Sequence, residues 1–511
     1  VKALPSVEAL GCADVICTDK TGTLTQNQMR AVAAWCPALE DDVLFSFNVP
    51  GSEGEAGASY HGSPADLAQL PCLARLLDCL SLCCDASLSA EGEASAQGRN
   101  GQPAGLGVGQ PTELALLSAA RALGVADRRA RLTRVRESPF SSETKLMAVV
   151  YAGGDSGGGA GGSARRGASA GELIVVKGAL EAVLPQCVSY FSNQHPLGGG
   201  GGGGGGGELL LLSPSVLEAI ELAAERMARQ GLRVLAGAVG HKPSQLAFAG
   251  LVAVQDPLRP HVTEAVHRMQ TSGARVMMVT GDAEGTALSV AREAGLYDPS
   301  HPGQRVLSGR EIDELVQGKG EGEGGGSPDY TALGSALAHV AVCFRTAPRH
   351  KLAIVRALQL RGHVVCMTGD GVNDAAALRA ADIGVAMGTG TDVAKEAAHV
   401  VILDDDFSTL VRAIEEGKGI FQSIRHFVAF QLSTSVAALG LVALNNVLGR
   451  PNPLNPMQIL FINLLMDGPL AQSLGLEPVD PAVMHRPPRP RSEDVVTTPL
   501  LRRVLSSGLL M

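Results

Sequence analysis

The segment Asp19–Thr25 contains an aspartate that is well placed for nucleophilic chemistry. It has the sequence Asp-Lys-Thr-Gly-Thr-Leu-Thr and follows the apolar run Val15–Cys17, which predicts a strand that ends in a polar loop. In a doubly wound sheet, chemistry is located at the carboxyl ends of the strands. A carboxylate there can attack a phosphoryl group and hold it as an acyl phosphate. Asp19 is therefore the candidate nucleophile, and the alternative is a polar turn after a buried strand.

The residue two positions after Asp19 bears on the fate of such an intermediate. Soluble phosphatases with a related loop carry a second Asp there, which acts as general acid and then as general base in hydrolysis. In this chain the position is Thr21. We therefore expect the aspartyl phosphate to break down slowly and to persist, which favours an energy-coupling enzyme over a hydrolase.

Two later apolar runs also end in small polar turns. Val276–Val279 leads into Thr280, Gly281 and Asp282, and Val364–Met367 leads into the turn 368–374. A hydroxyl and a backbone N–H in the first turn can hold a phosphate.

The second turn and a lysine add the remaining groups for phosphoryl transfer. Asp370 and Asp374 offer the hard oxygen ligands that Mg²⁺ prefers. Lys351 can neutralise charge on the transferred phosphoryl group. Each feature is weak alone, since an Asp-Gly pair is usually a turn. Together they predict a nucleophile, a metal site, a phosphate clamp and a cation on one parallel sheet.

Composition excludes some classes of protein. The 511 residues exceed one ordinary domain and predict two or three. A net charge of −9 argues against nucleic-acid binding. No Walker A pattern occurs, which excludes a P-loop at the level of the motif. The ten cysteines contain no CxxC pair, so we expect buried, reduced thiols on the cytosolic side of a membrane.

A long segment, 33–255, separates the first predicted strand from the others and predicts an inserted domain. A nucleotide site needs an aromatic face for adenine and cations for the phosphates. Phe140 offers the face, although a core aromatic is the alternative, and the charges come from Lys145, Lys177 and Arg233. Four low-complexity stretches, for which we expect flexible surface loops, are 52–63, 153–171, 198–207 and 321–327.

The last third of the chain contains two apolar runs. The first, 427–449, has no Lys, Arg, Asp or Glu and is long enough to cross a hydrocarbon core; the second, 457–476, contains one charge, Asp467. The two predict a transmembrane helical hairpin. Asn463 and Asp467 are four residues apart, hence on one helix face, and an Asp in a span is a candidate functional residue. The alternative is a hydrogen-bonded pair between spans.

These motifs resemble the P-type ATPases, cation pumps that pass through an aspartyl phosphate. The resemblance implies an α/β fold with an HAD-like doubly wound parallel sheet (the phosphorylation domain), an inserted α+β nucleotide-binding domain and the transmembrane hairpin. It implies ATP and Mg²⁺ as cofactors, with Mg²⁺ held by Asp19, the Thr21 carbonyl and Asp370, beside Asp374. The residues implied around the phosphate, in the loop and turns, are Lys20, Thr21, Thr280, Gly281, Asp282, Lys351 and Asn373. The residues implied for the nucleotide are Glu113, Phe140, Lys145, Lys177, Gly178 and Arg233, with Asp256 and Arg259 at the ends of the hinge Asp-Pro-Leu-Arg.

Several segments narrow the resemblance to the secretory-pathway Ca²⁺/Mn²⁺ pumps. They include Phe430–Ser435, Pro451–Leu460 and Gln472–Gly475. Two-site calcium pumps carry Asn and Glu where this chain has Ser435 and Ala438. The resemblance therefore implies one cation site on Asn463 and Asp467, a tolerance for Mn²⁺, a monomeric pump in a lipid bilayer, and a Golgi or other secretory-pathway membrane with cytosolic catalytic domains.

The chain also departs from the family pattern. The actuator loop Thr-Gly-Glu-Ser, an earlier Pro-Glu-Gly span and several later spans are missing, so we expect a fragment that is not transport-competent alone. The alternatives are a non-catalytic remnant or regulatory fragment, and a membrane-anchored HAD phosphatase. The expected boundaries are phosphorylation domain 1–32 and 256–415, nucleotide-binding domain 33–255, stalk and first span 416–449, loop and second span 450–476, and a cytosolic loop with the start of a further span 477–511.

Overall fold

The structure is a computed structural model that describes ten segments of the chain. They are 5–37, 71–88, 107–141, 144–152, 172–191, 209–317, 330–451, 453–476, 478–490 and 493–510. The four low-complexity stretches lie outside the described residues. The chain forms two compact units: the first is Val1–Leu24 with Leu258–Met511, and the second is Thr25–Pro257.

Seventeen strands lie in the described segments. In chain order they are β1 Val15–Thr18, β2 Arg30–Trp35, β3 Ser87–Leu88, β4 Gly107–Val108, β5 Arg134–Ser138, β6 Leu146–Tyr151, β7 Leu173–Gly178, β8 Cys187–Phe191, β9 Leu209–Leu211, β10 Arg233–Gly240, β11 Leu246–Gln255, β12 Arg275–Val279, β13 Arg305–Ser308, β14 Val340–Phe344, β15 Val365–Gly369, β16 Ile383–Met387 and β17 Val400–Ile402.

Fifteen α-helices lie in the same segments. They are α1 Pro5–Leu10, α2 Pro71–Leu82, α3 Pro111–Ala122, α4 Leu180–Val183, α5 Pro214–Arg229, α6 Val262–Thr271, α7 Glu284–Glu293, α8 Gly309–Gln317, α9 Thr331–Ala336, α10 Pro348–Leu360, α11 Ala375–Ala380, α12 Asp392–Ala397, α13 Phe407–Val447, α14 Pro456–Leu476 and α15 Thr498–Leu510. Single 3₁₀ turns occupy Arg129–Arg131, Leu184–Gln186, Leu337–His339, Val372–Asp374 and Pro481–His485.

The first unit is built on a seven-stranded sheet in the order β13-β14-β12-β1-β15-β16-β17. Every pair in it is parallel. Helices cover both faces, so β1 is buried along its whole length: Ile16 belongs to one core, and Val15 and Cys17 belong to the core on the opposite face. This is a doubly wound sheet, and it confirms the predicted α/β class. Because β1 lies between β12 and β15, the loops after all three strands open at the same edge.

The second unit contains a mixed eight-stranded sheet. Its main path is β5-β6-β7-β10-β11-β8-β9, and β2 also pairs with β11. Neighbours are antiparallel except β8 and β11, which are parallel. One face packs on α2 and α3, and the buried Cys79, Cys83 and Cys84 belong to that core. All ten cysteines are free in the structure, and nine of them are buried.

The chain crosses between the units at residues 24–25 and 257–258. The sequence predicts these crossings at 32–33 and 255–256. The difference arises because β2, which begins at Arg30, pairs with β11 inside the second unit. Asp256 reinforces that end of the unit, since its carboxylate accepts hydrogen bonds from the Thr25 hydroxyl at 2.6 Å and the Gln28 N–H at 3.1 Å.

The helix α13 has 41 residues and changes character along its length. Its N-terminus is capped by Asp406, which accepts from the Ser408 N–H at 2.8 Å, and its first turns are buried against the parallel sheet through Phe407, Leu410 and Val411. Its later part is long and apolar enough to cross a membrane, by length and composition, and little of it is buried. The second predicted span also forms a helix, α14, but many of its side chains lie outside the described residues. Its place in a membrane stays a prediction.

Candidate active site

Asp19 lies directly after β1 and is held on both carboxylate oxygens. Oδ1 accepts a hydrogen bond from the Lys20 N–H at 2.8 Å, and Oδ2 is 2.9 Å from Lys351 Nζ. The Asp19 N–H is bonded to the Thr368 carbonyl of β15 at 3.1 Å. The parallel register of β1 and β15 therefore fixes the candidate nucleophile beside the turn that carries Asp370 and Asp374.

Three carboxylates meet at this sheet edge. One oxygen from each of Asp19, Asp370 and Asp374 lies within 4.8 Å of the others. Lys351 Nζ also contacts Asp374 Oδ1 at 2.6 Å, so a single ammonium joins two of the three. The remaining negative charge is not balanced by Lys351, and this donor set of hard oxygens fits Mg²⁺.

Burial and mutual repulsion raise the pKa values of two carboxylates in this cluster. Burial, opposed by Lys351 and assisted by Asp374, raises the pKa of Asp19 to about 6. Burial and the charges of Asp19 and Asp374 raise the pKa of Asp370 to about 6. Burial alone would lower the pKa of Lys351, but the two carboxylates beside it hold that pKa above its usual value. At neutral pH the cluster therefore contains carboxylates whose charge a bound cation would stabilise.

Gly22 was not predicted from the sequence, and the close approach of the loop after β1 to Asp370 depends on it. Its φ is +69°, and a Cβ at this position would lie 1.7 Å from Asp370 Oδ2. Gly369 has a similar role, because its Cβ would lie 2.7 Å from the Asp374 carboxylate. The signal in the sequence was a glycine in the middle of each motif, which marks a close approach of backbone to other groups.

The turn after β12 lies on the other side of Asp19. Thr280 is buried, its N–H is bonded to the Cys343 carbonyl at 2.9 Å, and Gly281 and Asp282 follow it toward solvent. Lys20 reaches this turn and forms an ion pair with Asp282. The Thr346 hydroxyl, beside Thr280, and the Thr368 hydroxyl are buried and have no hydrogen-bond partner among the described residues. Such hydroxyls are suited to a polar ligand.

Lys351 is positioned by the first turn of α10. Pro348 occupies the start of that helix, where a missing N–H costs nothing. His350 Nδ1 accepts from the Ala347 N–H at 3.1 Å, and its Nε2 is 2.9 Å from Asp313. These contacts fix the turn so that Lys351 is directed inward. Asn373, which lies between Asp370 and Asp374 in the chain, is exposed.

Arg259 links the segment after the second crossing to the catalytic loop. Its Nη2 donates to the Gly22 carbonyl at 2.7 Å, and its N–H donates to the Leu24 carbonyl at 2.8 Å. Asp256 is buried in the second unit in the contacts described above. Arg259 and Asp256 thus form hydrogen bonds next to the two positions where the chain passes between the units. Their contact with a nucleotide stays a prediction.

The residues predicted for the nucleotide fall into two groups. Glu113 and Lys177 are buried and paired at 2.6 Å, and Glu113 Oε2 also accepts from the Asp85 and Ala86 N–H groups at 3.0 Å. Phe140, by contrast, is half exposed.

The exposed group lies at one end of the mixed sheet. The Lys145 N–H is bonded to the Ser141 carbonyl at 2.8 Å, and the Lys145 carbonyl accepts from Ala179 N–H at 3.0 Å. Phe140 directly precedes Ser141, so it adjoins the turn that these bonds connect to the end of β7. A Cβ at Gly178 would lie 2.4 Å from the Lys145 carbonyl. Arg233 begins β10. It lies at the same end of the sheet, because Ala236 of that strand is paired with Gly178, and its side chain is exposed. This end of the sheet offers an aromatic face and two cations to solvent.

The structure describes the backbone of the predicted transport site but not its side chains. Asn463 and Asp467 lie on the helix α14, but their side chains lie outside the described residues. Their role stays a prediction.

Comparison with known proteins agrees with this geometry. The description "P-type ATPase, cytoplasmic domain N" matches residues 72–261, and "Cation transporting ATPase, C-terminus" matches residues 451–511. Two haloacid dehalogenase-like hydrolase models match residues 215–382 and 352–414, which include the turns after β12 and β15.

Similar proteins extend the match to the whole chain. Calcium-transporting ATPase 1 of Yarrowia lipolytica is 41% identical over 523 residues, which cover 100% of this chain and 50% of that protein. The chain belongs to the P-type ATPases. Calcium-transporting ATPase type 2C member 1 of Homo sapiens is also 41% identical, over 100% of this chain and 50% of the human protein. Type 2C member 2 of Homo sapiens is 40% identical, over 100% of the chain and 48% of that protein. This P-type ATPase chain thus spans about half the length of the relatives that it matches.

Proposed function

We propose that the chain is the catalytic part of an ATP-driven cation pump. The observation that supports this proposal is that Asp19, Lys351, Asp370 and Asp374 lie together at one edge of a parallel sheet. The similarity of the chain to calcium-transporting ATPases supports it further. The class of reaction is phosphoryl transfer from ATP to an aspartate.

The residues have distinct roles in that transfer. The Asp19 carboxylate attacks the terminal phosphorus of ATP, a P–O bond to Asp19 forms, and the bond to the ADP oxygen breaks. Lys351, at 2.9 Å from Asp19, stabilises the negative charge on the transferred group. Thr280 and Gly281 present a hydroxyl and an N–H to the phosphoryl oxygens. Asp19, Asp370 and the Thr21 carbonyl, with Asp374 beside them, would hold Mg²⁺, which when bound neutralises phosphate charge and orients the oxygens.

Nucleotide binding is assigned to the second unit. Phe140 would stack on adenine while Lys145 and Arg233 approach the phosphates, since these three side chains reach solvent at one end of the sheet. We assign Glu113 and Lys177 a supporting role, because their charges already neutralise each other inside the unit.

The transported ion is Ca²⁺, with Mn²⁺ as a second substrate, in a secretory-pathway membrane such as the Golgi. Relatives named as calcium-transporting support the first ion. Asn463 and Asp467 supply oxygen ligands one helical turn apart, and Ser435 and Ala438 on α13 supply no carboxylate for a second site. Oxygen ligands accept both Ca²⁺ and Mn²⁺. The pump would act as a monomer.

The test is acid-quenched labelling with ATP radiolabelled on its terminal phosphate. Membranes that contain the chain within its complete reading frame are titrated with Ca²⁺ and Mn²⁺. We expect a hydroxylamine-sensitive band that needs either ion and is lost both in Asp19→Asn, which removes the nucleophile, and in Asp467→Asn, which removes an ion ligand. A band indifferent to both ions would refute the Ca²⁺/Mn²⁺ assignment. No band at all would favour the non-catalytic remnant.

A further inference from the structure

The first unit contains a basic cavity where α13 changes from a buried helix to an apolar one. The cavity has a volume of about 400 Å³ and is lined by residues of α13 and α15, by residues within 483–490, and by Glu493. Its volume falls in the range of small-molecule sites. Arg425 and His426 line it and directly precede the uncharged run 427–449. If α13 crosses a membrane, the cavity opens at the membrane surface.

The helix α15 places a second set of cations beside the first. Arg425 Nη2 is 3.5 Å from the Thr497 hydroxyl, and a Cβ at Gly508 would be 2.8 Å from a Val436 methyl group. Both pairs have the same offset along the chain, so α13 and α15 run side by side in the same direction. Arg503 therefore lies roughly 9 Å beyond the level of Arg425 along the helix axis, and no charged residue follows it in α15. The last cation of α15 thus lies beside the start of the uncharged run of α13.

The charge of the cavity is opposite to that of the chain. Its lining contains five Lys or Arg side chains and one carboxylate, Glu493, whereas the whole chain has a net charge of −9. Arg425 lies 3.6 Å from Glu493, and Arg489 is paired with Glu8 at 2.8 Å. In the part of the chain that the structure describes, the guanidinium groups of Arg486 and Arg503 form no hydrogen bond or ion pair. They are available to an anion.

The cavity also has an apolar side. Phe421 and Leu500 line it, and the Arg489 guanidinium carbon lies 3.5 Å from the centroid of the Phe421 ring. That stacking holds Arg489 in place and gives the cavity a rigid wall. A ligand with a phosphorylated head and an apolar tail matches this lining better than a free anion does, because a free anion would leave the apolar side chains without a partner.

We propose that this cavity binds the phosphorylated headgroup of an inositol lipid from the leaflet that α13 enters. Four of its five cations are arginines, which bind phosphate oxygens in pairs through a planar fork. Basic cavities beside membrane helices attract anionic lipid headgroups. The site is separate from the phosphorylation loop, so occupation would act on the membrane part of the chain, and the proposal holds whether or not Asp19 is phosphorylated.

The experiment uses the purified chain in uncharged detergent micelles. Binding is measured by thermophoresis for short-chain phosphatidylinositol monophosphate, for phosphatidylserine with the same acyl chains, for the water-soluble headgroup of the inositol lipid and for inorganic phosphate. The test variants are Arg486→Gln and Arg503→Gln, and Arg503→Lys retains the charge. The control is Arg502→Gln, which removes an exposed cation next to Arg503 that does not line the cavity.

We expect the inositol lipid to bind at least tenfold more tightly than phosphatidylserine. Each Gln variant of the cavity should weaken this binding about fivefold, as loss of one cation near a membrane surface does. Arg503→Lys should weaken it less, because it keeps the charge and loses only the paired contacts of the guanidinium, and Arg502→Gln should stay within twofold of the natural chain. Equal binding of both lipids with equal loss in Arg502→Gln would overturn the proposal in favour of general surface charge. A soluble headgroup or inorganic phosphate that binds as tightly as the lipid would overturn the lipid assignment.

Discussion

Gly22 determines how closely the catalytic loop approaches Asp370. The backbone there is left-handed, and the space that a Cβ would occupy is filled by a carboxylate oxygen. The clash is with a predicted metal ligand and not with a flexible surface chain. An added methyl group would therefore move Asp370 away from Asp19 and separate the oxygen atoms that we propose as ligands of Mg²⁺.

We predict that Gly22→Ala weakens Mg²⁺ binding more than tenfold with a modest loss of stability. Gly124→Ala is the matched control, because Gly124 has φ +71° and nothing within 4 Å of its Cβ. Both substitutions carry the backbone cost of about 1 kcal/mol for a left-handed residue, but the first alone meets Asp370. Mg²⁺ binding is measured by isothermal titration calorimetry. Equal Mg²⁺ affinity in both variants would contradict this account.

Asp370 also provides a prediction about pH. Its pKa in the folded chain is about 6, above the value of about 3.9 expected in the unfolded chain. The folded state therefore disfavours the charged form: the cost is full above pH 6 and is relieved as the pH falls toward 4. Asp370→Asn removes the charge permanently. Without Mg²⁺ at pH 7.5 it should stabilise the fold by about 1 kcal/mol, discounted because the side chain is half-buried.

The measurement is thermal unfolding in a chelator at pH 7.5 and 5.5. The gain from Asp370→Asn should shrink at the lower pH, and added Mg²⁺ at pH 7.5 should stabilise the natural chain but not the variant. Asp392→Asn is the control, because the Asp392 side chain is 97% exposed in the same unit. Destabilisation by Asp370→Asn at both pH values would show that Asp370 has structural contacts beyond its charge.

The sequence could indicate most of this site because the motifs are local. Each of the three apolar runs forms a strand, and each polar turn directly follows its strand, so the residue types alone placed Asp19, Thr280 and Asp370 at strand ends. What it could not provide was the 2.9 Å contact of Lys351 with Asp19 or the fit of Gly22 against Asp370. Those depend on α10 packing beside β15, which arises from the tertiary fold and not from the motif.

At the level of the elements, the pair of Glu113 and Lys177 joins α3 to β7. The two residues are 64 positions apart and both buried, and no periodicity in the sequence indicates that they touch. Family resemblance placed them both at a nucleotide, whereas the contacts show an internal ion pair with two further N–H donors on Glu113. A buried pair is strongly destabilising when one partner is removed, since the other charge is then left without compensation.

We predict that Lys177→Met destabilises the second unit by roughly 3 kcal/mol, by the usual cost of an orphaned buried charge. The double variant Glu113→Gln/Lys177→Met should recover part of the loss. Lys145→Met is the control: its ion pair with Glu181 is 3.0 Å long, but the side chains are 56% and 66% exposed, so the loss should stay below about 1 kcal/mol. Chemical denaturation measures all three. A larger loss from Lys145→Met than from Lys177→Met would contradict the assignment.

Measuring ATP affinity in the same variants distinguishes a residue that stabilises the second unit from one that binds the nucleotide. Lys145→Met should weaken ATP binding several-fold while the unit stays stable. Lys177→Met, compared at a temperature where the unit is fully folded, should change ATP affinity less. The opposite order would return Lys177 to the nucleotide site as the family resemblance implied.

At the scale of the whole chain, the sequence predicted an insertion between two halves of a parallel sheet. The structure contains such an insertion, and the crossings lie at 24–25 and 257–258. The sequence predicts the first crossing eight residues later, because the residues of a short strand such as β2 do not indicate which sheet the strand joins. The pairing of β2 with β11 places β2 in the mixed sheet, and the two strands are more than 200 positions apart in the chain.

The second unit should fold by itself, because its strands pair only among themselves in the described residues and its cores are its own. We predict that residues 25–257 expressed alone show one cooperative thermal transition and bind ATP. Phe140→Ala should weaken that binding roughly tenfold through loss of base stacking of about 1–3 kcal/mol with little change in the transition, because Phe140 is half exposed. Asp256→Ala should do the reverse, since the buried carboxylate joins Thr25 and Gln28 at the ends of the excised segment. A segment that unfolds without cooperativity would show that Thr25–Pro257 needs the parallel-sheet unit to fold, and ATP binding unaffected by Phe140→Ala would remove the aromatic face from the nucleotide site.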